Sequence, residues 1–153
     1  MEIIRITTKE DDKLADKIKE KWTGFFAADS EKRKQLMDHS FRFIIDDVGS
    51  GWEYVRIVLD EEIEERYRIS YIGPTVKDFV RTIMTLESVE LKRFVWSDEP
   101  SYIEYPWLLS RQHDVIYIEA PGIDDGFFLG FDYFKKQIRK GFEETYRWDI
   151  LGI

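Results

Sequence analysis

The sequence predicts an α+β fold in which an antiparallel sheet of about six strands has helices packed on one side. Short segments that alternate between apolar and polar residues recur between turn-forming residues, as in strands with one buried face. Longer segments with apolar residues at helical spacing follow each group of strands. Because the strands and helices occur in separate runs, an antiparallel sheet with a helical layer is favoured, and a strict βαβ alternation is disfavoured.

A single domain spanning residues 1–153 is expected. The chain contains 43% hydrophobic and 16% aromatic residues, which is enough for its own core, and no linker-like segment divides it. Residues 1–40 are predicted to be a helical N-terminal segment. Residues 41–88 and 91–153 each show three strand signals followed by a helix signal, so we expect a pseudo-repeat of two βββα units.

The N-terminal segment contains two helix signals after a weakly alternating stretch, Glu2–Thr8, that suits a short strand. The first helix is predicted over about 11–27, because Leu14, Ile18 and Trp22 recur at helical spacing. Asp29 and Ser30 then provide a cap for a second helical piece.

The first βββα unit is predicted from its turns. Strands Phe41–Ile45 and Trp52–Leu59 flank Gly49–Gly51, which offers the positive φ angles that a hairpin needs. A third strand is expected over 66–71. Pro74 suits the first position of the amphipathic helix that follows.

The second unit begins with a strand, Phe94–Trp96, that is expected to stop near Trp96. The next strand, Tyr102–Leu109, carries Pro106, which argues for an edge strand or a bulge because proline has no amide proton. A third strand follows at Val115–Ile118, and a final helix is predicted over roughly 132–147.

The net charge of -8 lies wholly on residues 41–153. It concentrates in two segments, with eight acids against two bases over 41–65 and seven acids against Arg111 alone over 94–125. Such a field repels phosphate backbones, so nucleic-acid binding is not expected, and it attracts a basic protein. The alternative is that the acidic surface only maintains solubility.

Several classes of protein are excluded or disfavoured by missing features. The chain has no Cys, and therefore no disulfide or catalytic thiolate. No apolar run approaches the length of a membrane span, and the N-terminus lacks the apolar core of a signal peptide. We therefore expect a cytoplasmic protein without membrane association.

No standard catalytic motif is present. The sequence lacks a Gly-rich phosphate loop, a GxSxG elbow and an HExxH helix, and its histidines are His39 and His113. The acidic pairs that begin at Asp46 and Asp124 do not match the spacing of a calcium loop. No catalytic residue, metal ligand or cofactor is predicted, although Asp98, together with Glu99, Glu104 and His113, remains an alternative carboxylate- or metal-dependent active site.

The remaining signal is a mixture of rings and charges in the segment 94–111. Trp, Tyr and Arg are the residues that most often anchor protein interfaces. The alternative is that the rings form the core of a small sheet. The hypothesised interaction residues are Trp96, Asp98, Glu99, Tyr102, Glu104, Trp107 and Arg111.

A longer pattern runs through residues 71–119. It comprises Gly-Pro, an amphipathic helix, an aromatic strand ending W-x-x-E-P, a Y-x-W-x-L-x-R segment and a V-x-I-x-I strand. The matching positions are Gly73, Pro74, Phe94, Trp96, Glu99, Pro100, Tyr105, Trp107, Leu109, Arg111 and Val115. Tyr117 and Glu119 depart from the apolar positions of the pattern unless the register moves by one residue, to Ile116 and Ile118.

In this pattern the chain resembles a group of small, mostly uncharacterised bacterial proteins. Some of its members look like immunity proteins of bacterial toxin systems, and the resemblance implies binding without turnover. The sequence hypothesis is therefore a non-enzymatic protein-binding module, an immunity protein that neutralises a basic toxin. Besides the enzyme, the other alternative is a scaffold or homodimerisation domain.

Overall fold

The computed structural model describes residues 9–99 and 101–153, so the predicted strand Glu2–Thr8 and the pattern residue Pro100 lie outside the described residues. Within this part of the chain there are four α-helices, seven β-strands and one short 3-10 helix. In chain order they are α1 (Lys9–Ala27), α2 (Ser30–Leu36), β1 (Phe41–Gly49), β2 (Trp52–Leu59), β3 (Ile63–Ser70), α3 (Val76–Met84), β4 (Val89–Asp98), β5 (Ile103–Gln112), β6 (Val115–Glu119), β7 (Phe127–Gly130), α4 (Phe131–Glu143) and the 3-10 helix Trp148–Leu151.

The predicted α+β class with antiparallel strands is confirmed. The strands form two meanders, a three-stranded sheet in the order β1-β2-β3 and a four-stranded sheet in the order β4-β5-β6-β7. The expectation of one sheet with about six strands is corrected by this division. Helix α3 connects the two sheets, and the additional strand, β7, is a four-residue run that the sequence did not distinguish from the helix that follows it.

The main core lies between the inner faces of the two sheets and helices α3 and α4. Phe79 of α3 lies at its centre, with ring centroids 4.5 Å from Trp96 and 4.7 Å from Trp107. Strand β1 packs closely on α4, because Gly141 leaves room for the backbone carbonyl group of Phe43. A Cβ atom at position 141 would collide with the backbone of β1.

A second apolar cluster lies on the outer face of the four-stranded sheet, beneath α1. Its largest members are Trp22 and Phe25 of α1, with Tyr117 and Phe128 of the sheet. Strands β5 to β7 carry apolar side chains on both faces, as the adjacent buried residues Leu108 and Leu109 show. Both faces therefore need cover, and the prediction of helices on one side only is wrong for this sheet.

One local prediction about prolines is corrected, and the other holds only locally. Helix α3 begins after Thr75, which caps it through a reciprocal pair of hydrogen bonds with Asp78, so Pro74 precedes the helix and is not its first residue. Pro106 lies in β5, a strand with neighbours on both sides. At Pro106, however, β5 pairs only with Val95 of β4, because β6 joins β5 from Leu108 onward.

A buried carboxylate joins the first sheet to the start of α3. Glu53 of β2 is 1% exposed and accepts hydrogen bonds from the Val76 backbone N–H at 2.9 Å and from the Tyr146 hydroxyl at 2.6 Å. The carboxylate satisfies one of the free N–H groups at the helix N-terminus and binds the C-terminal segment at the same point. Glu53 therefore connects three parts of the chain.

Candidate protein-interaction surface

The structure distributes the seven predicted interaction residues over three places. The two indole rings belong to the core, since Trp96 is 0% exposed and Trp107 is 1% exposed. The Trp96 Nε1–H donates a hydrogen bond to the Thr75 carbonyl oxygen at 3.2 Å. In this structure these two rings cannot reach a partner, and they hold β4 and β5 against α3.

Arg111 lies at the far end of β5. Its guanidinium donates hydrogen bonds to the carbonyl oxygens of Leu86 and His113, at 2.7 and 2.8 Å, and lies 4.0 Å from the centre of the Phe131 ring. These contacts fasten the loop before β4 and the β5–β6 turn. They give Arg111 a structural role away from the other predicted residues.

The other four predicted residues lie together where β4 turns into β5. Asp98 is 4% exposed and accepts from the Arg68 guanidinium at 3.0 Å, whereas Tyr102 is 87% exposed and has a φ angle of +64°. Glu99 and Glu104 make no ion pair with any other described residue. The turn thus presents one exposed ring beside two uncompensated carboxylates.

The loop between β3 and α3 adds apolar side chains to the same end of the molecule. Tyr71 is 46% exposed and Ile72 is 75% exposed. The loop lies against the end of β4, since a Cβ atom on Gly73 would be 2.9 Å from the Ser97 Oγ. Sequence reasoning missed this pair, although two large apolar residues after a strand and before Gly-Pro are a usable signal.

We call this surface the acidic tip. Ile103, 50% exposed and directly opposite Asp98 in the β4–β5 ladder, completes its apolar part. Its members are Tyr71, Ile72, Glu99, Tyr102, Ile103 and Glu104.

The base of the acidic tip is held by ionic and aromatic contacts. Arg68 stacks over the Trp52 ring at 4.5 Å, and its hydrogen bond with Asp98 raises the pKa of the guanidinium. Beneath it, the Tyr67 ring lies 5.0 Å from that of Tyr105, and the Tyr67 hydroxyl donates to the Pro121 carbonyl oxygen at 2.6 Å. Burial raises the pKa of Tyr67, which therefore stays a neutral donor. The exposed residues stand on a packed support.

The acidic segment 41–65 is partly neutralised by ion pairs. Arg56 pairs with Asp46 at 2.7 Å and with Glu64 at 2.9 Å, and those hydrogen bonds raise the pKa of Arg56. Arg42 pairs with Glu61 at 2.9 Å. Of the two acidic segments found in the sequence, the one that contains the β4–β5 turn keeps more of its charge free.

Of the residues of the alternative active site, the three carboxylates share the β4–β5 turn, but His113 lies far from them. Strand pairing places Asp98 opposite Ile103 and Val89 opposite Gln112, so His113 follows the other end of the hairpin. The two ends of β5 are nine residue steps apart, or about 30 Å at ~3.3 Å per step. Among residues 9–99 and 101–153 there is also no group of three His, Asp or Glu side chains that could hold a metal ion.

The other histidine takes part in a structural contact. His39 Nδ1 lies 2.8 Å from Asp60 Oδ2, and the other oxygen of Asp60 accepts from the Ser40 N–H at 3.0 Å. The pair joins the start of β1 to the β2–β3 turn. Whether Nδ1 donates or accepts in this contact depends on the tautomer of the imidazole ring. The contact has a structural role and does not require a catalytic one.

A separate groove lies between α1 and the start of β4. It has a volume of about 840 Å³ and is lined mainly by apolar side chains, including Ile18, Trp22, Phe26 and Leu91. The sequence did not predict it, because its walls come from elements about 65 residues apart in the chain.

Comparison of the chain with protein-family models, with curated proteins and with solved structures finds no match. The resemblance to small bacterial proteins therefore rests on the sequence pattern alone. In the described part of the chain, no helix combines the length and the apolar character required to cross a membrane.

Proposed function

We propose that this chain is a non-enzymatic binding protein that holds a basic protein partner at the acidic tip, as an immunity protein that neutralises a basic toxin would do. The observation that carries the proposal is the exposure of Tyr102, 87%, beside Glu99 and Glu104, two carboxylates that have no ion-pair partner among the described residues. The proposal includes the bacterial cytoplasm as the place where the protein acts.

The apolar residues of the acidic tip can contribute favourable free energy to binding. Single exposed apolar residues are common, but here Ile72 at 75% and Ile103 at 50% lie at the same end as Tyr102. Burying such side chains against a partner removes apolar area from water, at about 25 cal/mol per Å². Tyrosine is also among the residues most often found to dominate binding energy. These groups would supply slow dissociation.

The charges support the choice of a basic partner. Glu99 and Glu104 are not neutralised by the described residues, and the net charge of the chain is -8. An acidic surface raises the association rate of a basic protein through long-range attraction. Neutralisation of a toxin then requires only that the bound chain covers its working surface, so the chain needs no catalytic group of its own.

The test uses the purified chain to capture proteins from its source cells, in parallel with two double variants. Glu99→Lys/Glu104→Lys reverses the charge of the acidic tip. Glu31→Lys/Asp38→Lys makes the same change in net charge at exposed positions in and just after α2, whose main strand contact is with β7, at the opposite edge of the sheet from β4. We expect the wild type and the α2 variant to capture the same basic protein and the tip variant to lose it.

The captured protein is then expressed alone and together with each chain. Growth arrest that the wild type and the α2 variant relieve, and the tip variant does not, is the expected result. Capture of no basic protein, or equal capture by all three chains, would contradict the proposal. Capture without any effect on growth would reject the immunity role and leave the binding role standing.

A further inference from the structure

The groove beside α1 exists because one helix does not cover the whole outer face of the four-stranded sheet. Helix α1 packs on Leu108, Tyr117 and Phe128, which belong to β5, β6 and β7, whereas Leu91 of β4 is only partly covered. Strands lie about 4.8 Å apart and a helix is about 10 Å across, so a strip roughly one strand wide stays open over β4. That strip is too narrow for a second helix on the sheet and suits a slender molecule.

The walls of the groove are apolar and already held in place. Phe26 is 47% exposed and stacks on Trp22 with ring centroids 5.5 Å apart. The Trp22 Nε1–H donates to the Ser110 Oγ at 2.7 Å, which fixes the indole against the sheet. On the opposite wall Val89 is 56% exposed. A ligand would meet a formed site with little side-chain ordering to do.

Among the described residues, the charge that faces the groove is positive. Three of the described residues that line it are charged, but Glu90 accepts from the Glu87 N–H at 2.9 Å and Arg111 donates to two carbonyl oxygens. Glu90 and Arg111 also oppose each other in the ladder, and Arg111 contacts Phe131 on the inner side of the sheet. Lys19 of α1 is exposed and makes no ion pair with another described residue. An anionic ligand therefore fits the groove, although the net charge of the whole protein is -8.

We propose that the groove binds a long-chain carboxylate, with its alkyl chain along Trp22, Phe26 and Leu91 and its carboxylate at the Lys19 ammonium group. A volume of about 840 Å³ lies within the range of small-molecule sites, about 300–1,000 Å³, which are mostly apolar with a few polar groups. On its helix side the groove runs along α1 from Ala15 to Ala27, thirteen residues that span about 18 Å, which suits an extended alkyl chain. The site is independent of the acidic tip, which lies at the other end of β4.

The experiment titrates the purified full chain with dansylaminoundecanoate, a fatty acid that carries a fluorophore sensitive to its surroundings. We expect saturable enhancement of dansyl emission that dodecanoate reverses, and that dodecanol reverses less well at equal concentration. Lys19→Glu is expected to weaken binding roughly fivefold or more, because it replaces an attraction with a repulsion at an exposed site. Lys21→Glu, the same change at an exposed position of α1 that does not line the groove, is expected to leave binding unchanged.

A filling variant tests the position of the alkyl chain. Thr23 is exposed and lines the groove, so Thr23→Trp is expected to block the probe and leave the far-ultraviolet circular dichroism spectrum intact. Lack of saturable binding by the wild type would overturn the proposal, as would equal weakening by Lys19→Glu and Lys21→Glu, or better competition by dodecyltrimethylammonium. A chain that sediments as a dimer, does not bind the probe and becomes monomeric with Val89→Lys would show that a second copy covers the groove, and would also overturn it.

Discussion

Replacing Glu53 with Ala is expected to lower the free energy of unfolding by about 2–4 kcal/mol. The carboxylate is 1% exposed and is the acceptor for the Val76 N–H and the Tyr146 hydroxyl. The buried Val76 N–H, left without an acceptor, costs about 1–3 kcal/mol, and the half-buried Tyr146 hydroxyl loses a hydrogen bond to a charged group, which contributes about 1.5–3 kcal/mol. Removing the carboxylate also removes the cost of burying its charge, which offsets part of that loss. The remaining loss is a large share of the total free energy of unfolding of a typical protein, about 5–15 kcal/mol.

Glu53→Gln is the matched control. The amide oxygen still accepts from Val76, and its NH₂ group can donate to the Tyr146 oxygen, so only the interaction of the charge with the helix N-terminus, about 0.3–1 kcal/mol, is lost. The measurement is urea unfolding followed by circular dichroism and tryptophan fluorescence. If Glu53→Ala loses less than about 1 kcal/mol, or if Glu53→Gln is as harmful as Glu53→Ala, the buried carboxylate does not anchor α3 as described.

Two further predictions concern pH and packing. Burial raises the pKa of Tyr67, so the unfolded chain releases this phenol proton near pH 10, at about the ordinary value, while the folded chain retains it. Stability therefore falls as pH rises above about 10, and Tyr67→Phe should make that fall less steep; equal slopes for the two chains would contradict this reading. In Gly141→Ala the new Cβ would collide with the Phe43 carbonyl oxygen, which should cost about 3 kcal/mol or more in urea unfolding. Gly24→Ala, with open space around it in α1, should stabilise the chain by about 0.5–1 kcal/mol, and similar stability of both variants would refute the close packing of α4 on β1.

Elements specified by short-range chemistry could be predicted from the sequence. The hairpin turn between β1 and β2 contains Ser50 with φ +55° between two glycines with positive φ, and this is the pattern that its residues indicated. Asp29 caps α2 by accepting from the Lys32 N–H at 2.8 Å, as its position suggested. In both cases the residues that determine the element are within three positions of each other.

The arrangement of the two sheets could not be predicted in the same way. Strand β5 carries Leu108 and Leu109 in succession, and a period of two does not say that both faces will be covered. The cover of the outer face comes from α1, which precedes β5 by about 80 residues. Strand β7 escaped notice because its Phe-Phe-Leu run leads directly into the apolar positions of α4.

The burial of the candidate site residues could not be predicted from the sequence either. Tyr105, Trp107 and Leu109 alternate along β5 and share one side of it, since all three belong to or contact the main core. The side that faces the core depends on where α3 lies, and this information is absent from the strand itself. The exposure of Tyr102 depends instead on its place in a turn, so rings of similar character in one stretch have opposite environments.

The measurement that tests the acidic tip most directly is the association rate constant of the captured partner at several salt concentrations. We expect Glu99→Lys/Glu104→Lys to associate about tenfold more slowly than the wild type at low salt, and the difference to shrink as salt screens the charges. Glu31→Lys/Asp38→Lys, with the same change in net charge, should stay close to the wild-type rate. Equal slowing of both variants would show that only the total charge matters, and would contradict a binding surface at the acidic tip.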